Sequence, residues 1–351
     1  MYSGNRFAGL KSKYICRHKN IFPHRSQFIS TAAVNDLAYT AIVIPDKMIK
    51  QLIYKIIYAP GINTMIRTLN KAFSPILPNR IKIPPTGLMT IPVEGKKLKL
   101  YTNQTNFLTY VIFWEGYENW EYTDIFLSLV KKMNCFFDIG ASIGFYSLLA
   151  AIENPKMNIV SFEPAMGPQF FFRKNIGLNH FTNIKLEPVA LSHYTGNIDF
   201  YEVKNKKYPY LKYNLGGAGN AGSDTSESTF TKTNVPTITL DAYVKENHIQ
   251  SIDLIKMDTE GTENLILENA TYVLDTMKPI IICETLFHMI ENELEEILIA
   301  HGYEFYNHTE TGLEKVPSIR REMDNGIRNC FFVHPDKKQL IKEFIKPITH
   351  P

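Results

Sequence analysis

The sequence contains few cysteines and no apolar run long enough to cross a bilayer. Its four cysteines, Cys16, Cys135, Cys283 and Cys330, show no CxxC spacing, which disfavours a disulfide framework or a zinc site and favours a reducing compartment. No segment approaches the ~20 consecutive apolar residues that a transmembrane helix needs. The 38 basic and 35 acidic residues leave a net charge of only +3, without the excess typical of a dedicated nucleic-acid or membrane-surface binder. We therefore expect a cytoplasmic protein with no nucleic-acid partner.

Acidic residues are missing from residues 1–35, which carry six Lys and Arg residues. This bias is typical of an organelle-targeting leader, but no Arg-rich amphipathic repeat accompanies it. A disordered basic N-terminus is therefore the expectation, with organelle import as the alternative to a cytoplasmic location. Helical character follows over residues 36–80. We predict that residues 1–85 form an N-terminal extension and residues 86–351 form the main domain.

Beyond residue 86, short apolar runs alternate with helical stretches, which predicts a parallel sheet wrapped by helices. A hairpin over residues 88–101 precedes the runs at residues 135–139, 158–162, 184–189, 254–257 and 280–283. Residues 303–306 and 330–333 predict an antiparallel pair at one sheet edge, after a helix over residues 286–301 that ends before Gly302. Residues 214–234 are rich in Gly, Ser, Thr and Asn and predict a mobile loop. This loop either folds over a ligand pocket or is a connection without a role.

The sharpest motif is the run DIGASIGFYS, from Asp138 to Ser147, in which a buried strand leads into a glycine turn and a helix start. Gly140 and Gly144 allow a tight turn and a close approach of the backbone to a ligand. Their spacing departs from the GxGxxG fingerprint of dinucleotide sites, and the Asp138 carboxylate would repel a diphosphate. The same carboxylate suits a ligand that carries an ammonium group, as S-adenosylmethionine does.

A second acid, Glu163, ends the next predicted strand, 19 residues after Gly144. A carboxylate in this position accepts both hydroxyls of a ribose in Rossmann-like folds. The alternative is that Glu163 caps the helix that follows. Together with the turn after Asp138, it favours a nucleoside ligand without a required phosphate.

These motifs belong to a longer ordered set, over which residues 111–333 resemble the FkbM family of methyltransferases. The set comprises Gly116-Tyr117-Glu118 with Glu121, the turn from Asp138 to Tyr146, Phe162-Glu163-Pro164, Asn175 with Asn179, Ala190-Leu191-Ser192, Thr239-Leu240-Asp241, the run from Lys256 to Glu263, and Lys278-Pro279 before Glu284. The resemblance implies an α/β, class I methyltransferase Rossmann-like fold, with a seven-stranded, mostly parallel sheet and an antiparallel edge strand.

The resemblance implies that residues 86–351 form a methyltransferase domain that uses S-adenosyl-L-methionine. The expected reaction is methylation of a hydroxyl on a small-molecule or glycan acceptor, such as a sugar or a natural-product scaffold. The expected cofactor-binding residues are Asp138, Gly140, Ala141, Ser142, Gly144, Glu163 and Asp258.

Asp258, Glu260 and Glu263 predict an acidic cluster at the carboxyl edge of the sheet. Methyl transfer from a sulfonium is an in-line displacement that depends on alignment, but the acceptor hydroxyl must still lose its proton. Asp258 is the first candidate for orienting or deprotonating the acceptor, with Glu260 in the same cluster, and His288 is the second candidate base. The alternatives are helix caps for the acids and a solvated or core position for His288. Three neighbouring acids could also bind Mg²⁺, but nothing else in the sequence supports a metal.

Two other functions stay open. A non-catalytic methyltransferase-like binding module would keep the cofactor pocket and lose the acceptor chemistry. A nicotinamide-dependent oxidoreductase would explain the alternating pattern and Glu163, but it does not fit the glycine spacing.

Overall fold

The structure is a computed structural model that describes residues 46–73, 76, 81–216, 218–219 and 229–346. The predicted disordered N-terminus and the organelle-import alternative lie outside the described residues. The chain divides into two compact units between residues 53 and 54, and the domain boundary after residue 85 stays a prediction. No helix within the described residues is long and apolar enough to span a membrane.

The described residues alternate between helices and strands. The helices are α1 (Asp46–Ile57), α2 (Pro60–Ala72), α3 (Phe107–Glu115), α4 (Thr123–Val130), α5 (Phe145–Glu153), α6 (Met166–Asn179), α7 (Leu240–Glu246), α8 (Glu263–Glu268) and α9 (Glu291–Ala300). The strands are β1 (Gly87–Val93), β2 (Lys96–Thr102), β3 (Cys135–Ile139), β4 (Asn158–Phe162), β5 (Ile184–Glu187), β6 (Ala190–Leu191), β7 (Gly196–Lys204), β8 (Ala218–Gly219), β9 (Thr229–Ile238), β10 (Leu254–Met257), β11 (Ile280–Glu284), β12 (Glu304–Thr309), β13 (Gly312–Val316) and β14 (Asn329–Val333).

The main sheet has eight strands in the order β13-β12-β14-β11-β10-β3-β4-β5. The five strands from β11 to β5 are parallel, as their continuous apolar character predicts for strands buried on both faces. Asp138 on β3 lies beside Lys256 on β10 and beside Ser161 on β4. Helices α7, α8 and α9 contribute to the core on one side of the sheet. On the other side, Phe126 of α4 packs on Phe136 with ring centroids 5.1 Å apart.

The prediction of seven strands is wrong because the sheet has eight, whereas the predicted antiparallel pair at one end of the sheet is confirmed by β12 and β14. The antiparallel strand β14 lies inside the sheet, between β11 and β12, and the edge strand is β13, which pairs antiparallel with β12. The sequence of β13, GLEKV, contains two adjacent charged residues, Glu314 and Lys315, because an edge strand is only partly covered. It therefore lacks the apolar run by which the other strands were predicted.

A second sheet, with the order β6-β9-β7-β8, was not predicted. β7 and β9 pair antiparallel from Gly196 with Thr237 to Lys204 with Thr229. The mobile loop predicted over residues 214–234 is therefore wrong for residues 229–234, which begin β9. Threonine is common in loops and is also favoured in strands by its β-branched side chain, so the composition alone did not separate the two.

The hairpin prediction is confirmed by β1 and β2, which turn at Glu94 and Gly95. The outer edge of β2 is covered by α6, where Asn175 Oδ1 and Asn179 Oδ1 accept the backbone N–H groups of Tyr101 at 2.6 Å and Lys99 at 2.8 Å. These two contacts explain the spacing of the two asparagines on α6.

Helix α9 begins at Glu291 rather than at residue 286. The carboxylate of Glu291 accepts the backbone N–H groups of His288 and Met289, which holds residues 286–290 in a turn in which His288 has a positive φ of 58°. The predicted end of the helix is confirmed, since Gly302 has φ 76° and its N–H bonds to Ile299 O.

Candidate functional site

A cavity of about 280 Å³ opens at the carboxyl ends of β3, β4 and β10, where open α/β sheets bind their ligands. Strand β7 and the residues after it form the opposite wall. The lining residues are Ile139, Gly140, Ser142, Phe162, Glu163, Pro164, Ala165, Pro168, Val189, Ala190, Leu191, Ser192, Ile198, Phe200, Glu202, Val203, Asn214, Leu215, Asp258, Thr259, Glu260, Thr262 and Leu265. The predicted residues Gly140, Ser142, Glu163, Asp258 and Glu260 therefore meet in one cavity.

The turn after β3 is shaped by a close approach to the turn after β10. A Cβ at Gly140 would lie 2.0 Å from Asp258 O, so only glycine allows these two turns to pack together. Two residues later, Ser142 adopts a positive φ of 51°, which is rare for a residue with a side chain. Its backbone N–H donates to Glu163 Oε2 at 2.8 Å, and this bond holds the turn against the end of β4.

Glu163 lies at the end of β4 and is buried against the turn. Its second oxygen, Oε1, accepts the backbone N–H of Ala165 at 2.8 Å, so the side chain also supports the start of the segment that leads into α6. Burial raises the pKa of Glu163 to about 7, although the N–H groups of Ala165 and Ser142 and the Lys256 ammonium oppose the shift. Each carboxylate oxygen keeps acceptor capacity beyond one N–H, so Glu163 can still accept from ligand hydroxyls.

Asp138 lies behind the cavity and is not among the residues that line it. Its side chain is 1% exposed, and Oδ1 lies 3.4 Å from Nζ of Lys256, which is itself buried. Oδ2 accepts a hydrogen bond from Ser147 Oγ at 2.6 Å. The charge that we expected to meet a ligand ammonium is therefore balanced from within the protein, and a direct contact with the ligand stays a prediction.

Lys256 is a residue of this site that the sequence analysis did not single out. Its Nζ donates to Gly140 O at 2.8 Å and lies 3.9 Å from Asp258 Oδ2. Burial by itself lowers the pKa of Lys256, but the neighbouring carboxylates of Asp138 and Asp258 leave it raised. The lysine therefore links the turns after β3 and β10 as a charged residue. A lysine inside an otherwise apolar strand, LIKM, is the sequence signal that could have revealed it.

Ala141 and Gly144 do not line the cavity. A Cβ at Gly144 would lie 2.0 Å from Cε2 of Phe172 on α6. This glycine therefore makes room for the protein's own aromatic ring rather than for a ligand. The structure therefore explains Gly144 by its packing against Phe172, whereas the motif predicted a close approach of the backbone to a ligand.

The acidic cluster after β10 separates into two environments. Asp258 and Glu260 line the cavity, whereas Glu263 is 1% exposed and its Oε1 accepts the backbone N–H of Thr259 at 2.7 Å. Burial raises the pKa of Glu263, and the residue acts as the cap partner considered as its alternative. No group of three or more His, Cys, Asp or Glu side chains in the described parts of the chain is arranged to hold a metal ion.

His288 is exposed and does not line the cavity. Its ring packs on Phe287 with centroids 4.0 Å apart. The structure does not bring this candidate base together with Asp258 and Glu260 in the cavity.

The cavity has an acidic and apolar character. Its charged lining residues are Glu163, Glu202, Asp258 and Glu260, and among the described residues no Lys, Arg or His lines it. Glu202 on β7 was missed because its strand was missed. Such a lining disfavours phosphate groups and favours a ligand with positive charge. The apolar wall includes Phe162, Val189, Leu191 and Phe200, which suits the flat face of a nucleobase. The residues present therefore fit a cationic nucleoside such as S-adenosylmethionine.

Comparison with known proteins agrees with this description. Residues 138–305 match the family described as the methyltransferase FkbM domain, and the resemblance predicted from the sequence is confirmed over these residues. No curated protein matches the chain significantly.

Several solved methyltransferases are similar to this chain. One is methyltransferase FkbM from Methylobacillus flagellatus KT, with 15% identity and a TM-score of 0.36 over 57% of this chain and 43% of that one. The chain thus spans less than half the length of that relative. Another is a SAM-dependent methyltransferase from Agrobacterium tumefaciens, with 10% identity and a TM-score of 0.38 over 72% of each chain. A third is precorrin-6y C5,15-methyltransferase from Geobacter metallireducens GS-15, with 12% identity and a TM-score of 0.35 over 60% of this chain and 87% of that one. Similarities of this size carry no information about the acceptor.

Proposed function

We propose that this chain, which carries a methyltransferase FkbM domain at residues 138–305, is an S-adenosylmethionine-dependent methyltransferase that acts on a hydroxyl. The observation that carries the proposal is the acidic cavity with the buried Glu163 at the end of β4. The expected acceptors are a sugar, a glycan or a natural-product scaffold. The buried free thiols of Cys135, Cys283 and Cys330 fit a reducing compartment, and we propose a cytoplasmic location.

The cofactor would be held between the turn after β3 and the end of β4. Glu163 would accept hydrogen bonds from the ribose hydroxyls, while its bonds to Ser142 and Ala165 keep the carboxylate in place. Lys256 and Asp138 would hold the turn itself through the contact of Lys256 with Gly140 O. S-adenosylmethionine would supply an electrophilic methyl group in this cavity.

Asp258 is the residue proposed to act on the acceptor. Its side chain is 43% exposed and lies on the cavity wall, close to Lys256. From there it can accept the proton of an acceptor hydroxyl or fix the hydroxyl's direction. Glu260, on the same wall, is proposed to bind the acceptor. His288 has no assigned role because its side chain lies outside the cavity, and we expect His288→Ala to keep full turnover.

Calorimetric titration of the purified full chain with S-adenosylmethionine, S-adenosylhomocysteine and NADH tests the cofactor. We expect both adenosyl ligands to bind and NADH not to bind. Glu163→Ala should weaken adenosyl binding roughly 10- to 100-fold, since a charged hydrogen bond contributes about 1.5–3 kcal/mol. Glu343→Ala, which removes a carboxylate that is 57% exposed, is the matched control and should bind normally.

The outcomes separate the three functions considered. Binding of NADH alone would support the oxidoreductase and overturn the proposal. Adenosyl binding without transfer to any hydroxyl acceptor in a screen with isotope-labelled methyl donor would support the non-catalytic module. Transfer of label, with mass spectrometry locating the new methyl group on oxygen, would support the proposed reaction.

A further inference from the structure

Helix α2 packs on the hairpin with its polar side. Asn63 and Arg67 are buried, and Asn63 Oδ1 accepts the N–H of Thr86 at 2.8 Å while its Nδ2 donates to Pro84 O at 3.2 Å. Arg67 donates to the carbonyl oxygens of Thr86 and Leu88. The inward face of the helix is thus joined to the chain around β1 by hydrogen bonds, which reverses the usual arrangement of a surface helix.

The apolar side of α2 consequently points into solvent. Residues three or four apart on one face remain largely exposed, namely Ile62 (39%), Met65 (59%), Leu69 (58%) and Phe73 (58%). We call these residues the apolar row. Exposed apolar residues scattered singly are ordinary, but a continuous row on one helix face marks an interaction site.

A basic, tyrosine-rich segment lies beside the residues that precede α2. This tyrosine–lysine segment, residues 204–213 (KNKKYPYLKY), has four exposed lysines and no acid. Tyr208 packs on both Tyr54 and Tyr58 with centroids 5.4 Å apart. Lys55 Nζ lies 5.6 Å from the centroid of the Tyr210 ring. Tyrosine rings combined with lysines are typical of protein surfaces at the water–lipid boundary.

The sequence around the apolar row is basic. Residues 47–93 contain seven Lys and Arg residues and no Asp or Glu, although Arg67 is buried and Lys82 pairs with Glu115. An amphipathic helix with an outward apolar face among basic residues is the pattern of helices that lie in the interface of an anionic membrane. We propose that the apolar row and the tyrosine–lysine segment dock this protein onto a membrane surface that contains anionic lipids.

Docking in this way would bring the cavity close to the lipid. The tyrosine–lysine segment follows directly from β7 and leads into Asn214 and Leu215, and both β7 and these two residues line the cavity. The inference concerns attachment alone and does not depend on the proposed methyl transfer. It also differs from a transmembrane anchor, since the helix would lie along the surface.

Flotation of the full chain with vesicles tests the proposal, in the absence of any methyl donor. We expect binding to vesicles of phosphatidylcholine mixed with phosphatidylserine, weakened by salt, and no binding to phosphatidylcholine alone. The double variant Met65→Asp with Leu69→Asp should bind at least roughly 30-fold more weakly, because two half-exposed apolar side chains no longer enter the lipid. The control is Ile299→Asp with Met323→Asp, two other exposed apolar residues, which should bind like the unmodified chain.

A second pair of variants tests the charge. Lys206→Glu with Lys207→Glu should weaken binding at least roughly 30-fold, at about fivefold for each of the two lysine charges lost near an anionic surface. The exposed residues Lys97 and Lys156, changed to Glu together, are the control and should have little effect. Equal binding to neutral and anionic vesicles, or none to either, would overturn the proposal. The proposal would also be overturned if the unmodified chain sediments as a dimer and the Met65→Asp with Leu69→Asp variant sediments as a monomer. In that case a second copy of the chain would cover the apolar row.

Discussion

Replacing Lys256 by methionine should destabilise the protein more than any exchange of a surface charge. Nζ of Lys256 lies 3.4 Å from Asp138 Oδ1, and the two side chains are 5% and 1% exposed. Without the lysine, Asp138 keeps only the hydrogen bond from Ser147 and becomes an uncompensated buried charge. Breaking a buried pair from one side costs about 3–5 kcal/mol, so the free energy of unfolding should fall by that amount in urea titrations followed by circular dichroism.

Two further variants decide whether this reasoning is right. Asp138→Asn combined with Lys256→Met removes both charges and should recover at least about 2 kcal/mol relative to Lys256→Met alone. Lys185→Met breaks the exposed pair with Glu187, in which the lysine is 55% exposed, and should cost less than about 1 kcal/mol. The reasoning is refuted if Lys256→Met costs no more than Lys185→Met, or if the double variant is no more stable than Lys256→Met.

Three other predictions concern the cavity and its supports. Because burial raises the pKa of Glu163 from 4.5 to about 7, the folded state binds its proton more tightly than the unfolded state. The stability advantage of the wild type over Glu163→Gln, measured by urea unfolding, is therefore full below pH 4.5 and should fall by about 3 kcal/mol as pH rises to about 7. Gly144→Ala places a Cβ 2.0 Å from the Phe172 ring at a φ of 85° and should cost at least about 2 kcal/mol, whereas Gly177→Ala, with open space around it, should be neutral or stabilising. Asp258→Asn should lower kcat at least roughly 100-fold and weaken S-adenosylhomocysteine binding by less than roughly 10-fold; equal losses in both would contradict its proposed role on the acceptor.

The sequence predicted the parallel part of the main sheet well because four of its five strands, all except the edge strand β5, are buried on both faces. Five apolar runs correspond to β3, β4, β5, β10 and β11. The hairpin was predicted as well, since its turn at Glu94 and Gly95 separates two alternating segments. In each case a local pattern of a few residues carried the whole signal.

The second sheet was missed because its strands are polar and partly exposed. β7 and β9 pair over a long register. Such pairing joins segments that are far apart in the chain, and it uses backbone N–H and C=O groups, which do not depend on the side-chain sequence. Composition therefore gave a loop where a strand forms. The error also concealed one cavity wall, including Glu202.

The contacts within the candidate site differ from those that the motif suggested. The motif placed Gly140, Ser142 and Glu163 at one sheet edge, but it could not show that Gly144 accommodates a phenylalanine ring. It also could not show that Asp138 is paired with Lys256, because that contact depends on the register between β3 and β10. Residues adjacent in a motif therefore serve different purposes here, some facing the cavity and others supporting the turn from behind.

The small net charge of the chain conceals a separation of charge that joins the two proposals. Residues 1–85 contain thirteen basic and two acidic residues, and residues 86–351 contain twenty-five basic and thirty-three acidic residues. An anionic membrane would attract the first part together with the tyrosine–lysine segment, and it would repel the acidic remainder of the second part. The acidic lining of the cavity would favour a cationic cofactor. The net negative charge of residues 86–351 would oppose binding of the rest of the protein surface to anionic lipid. The sum of +3 is thus the balance of two oppositely charged stretches of sequence.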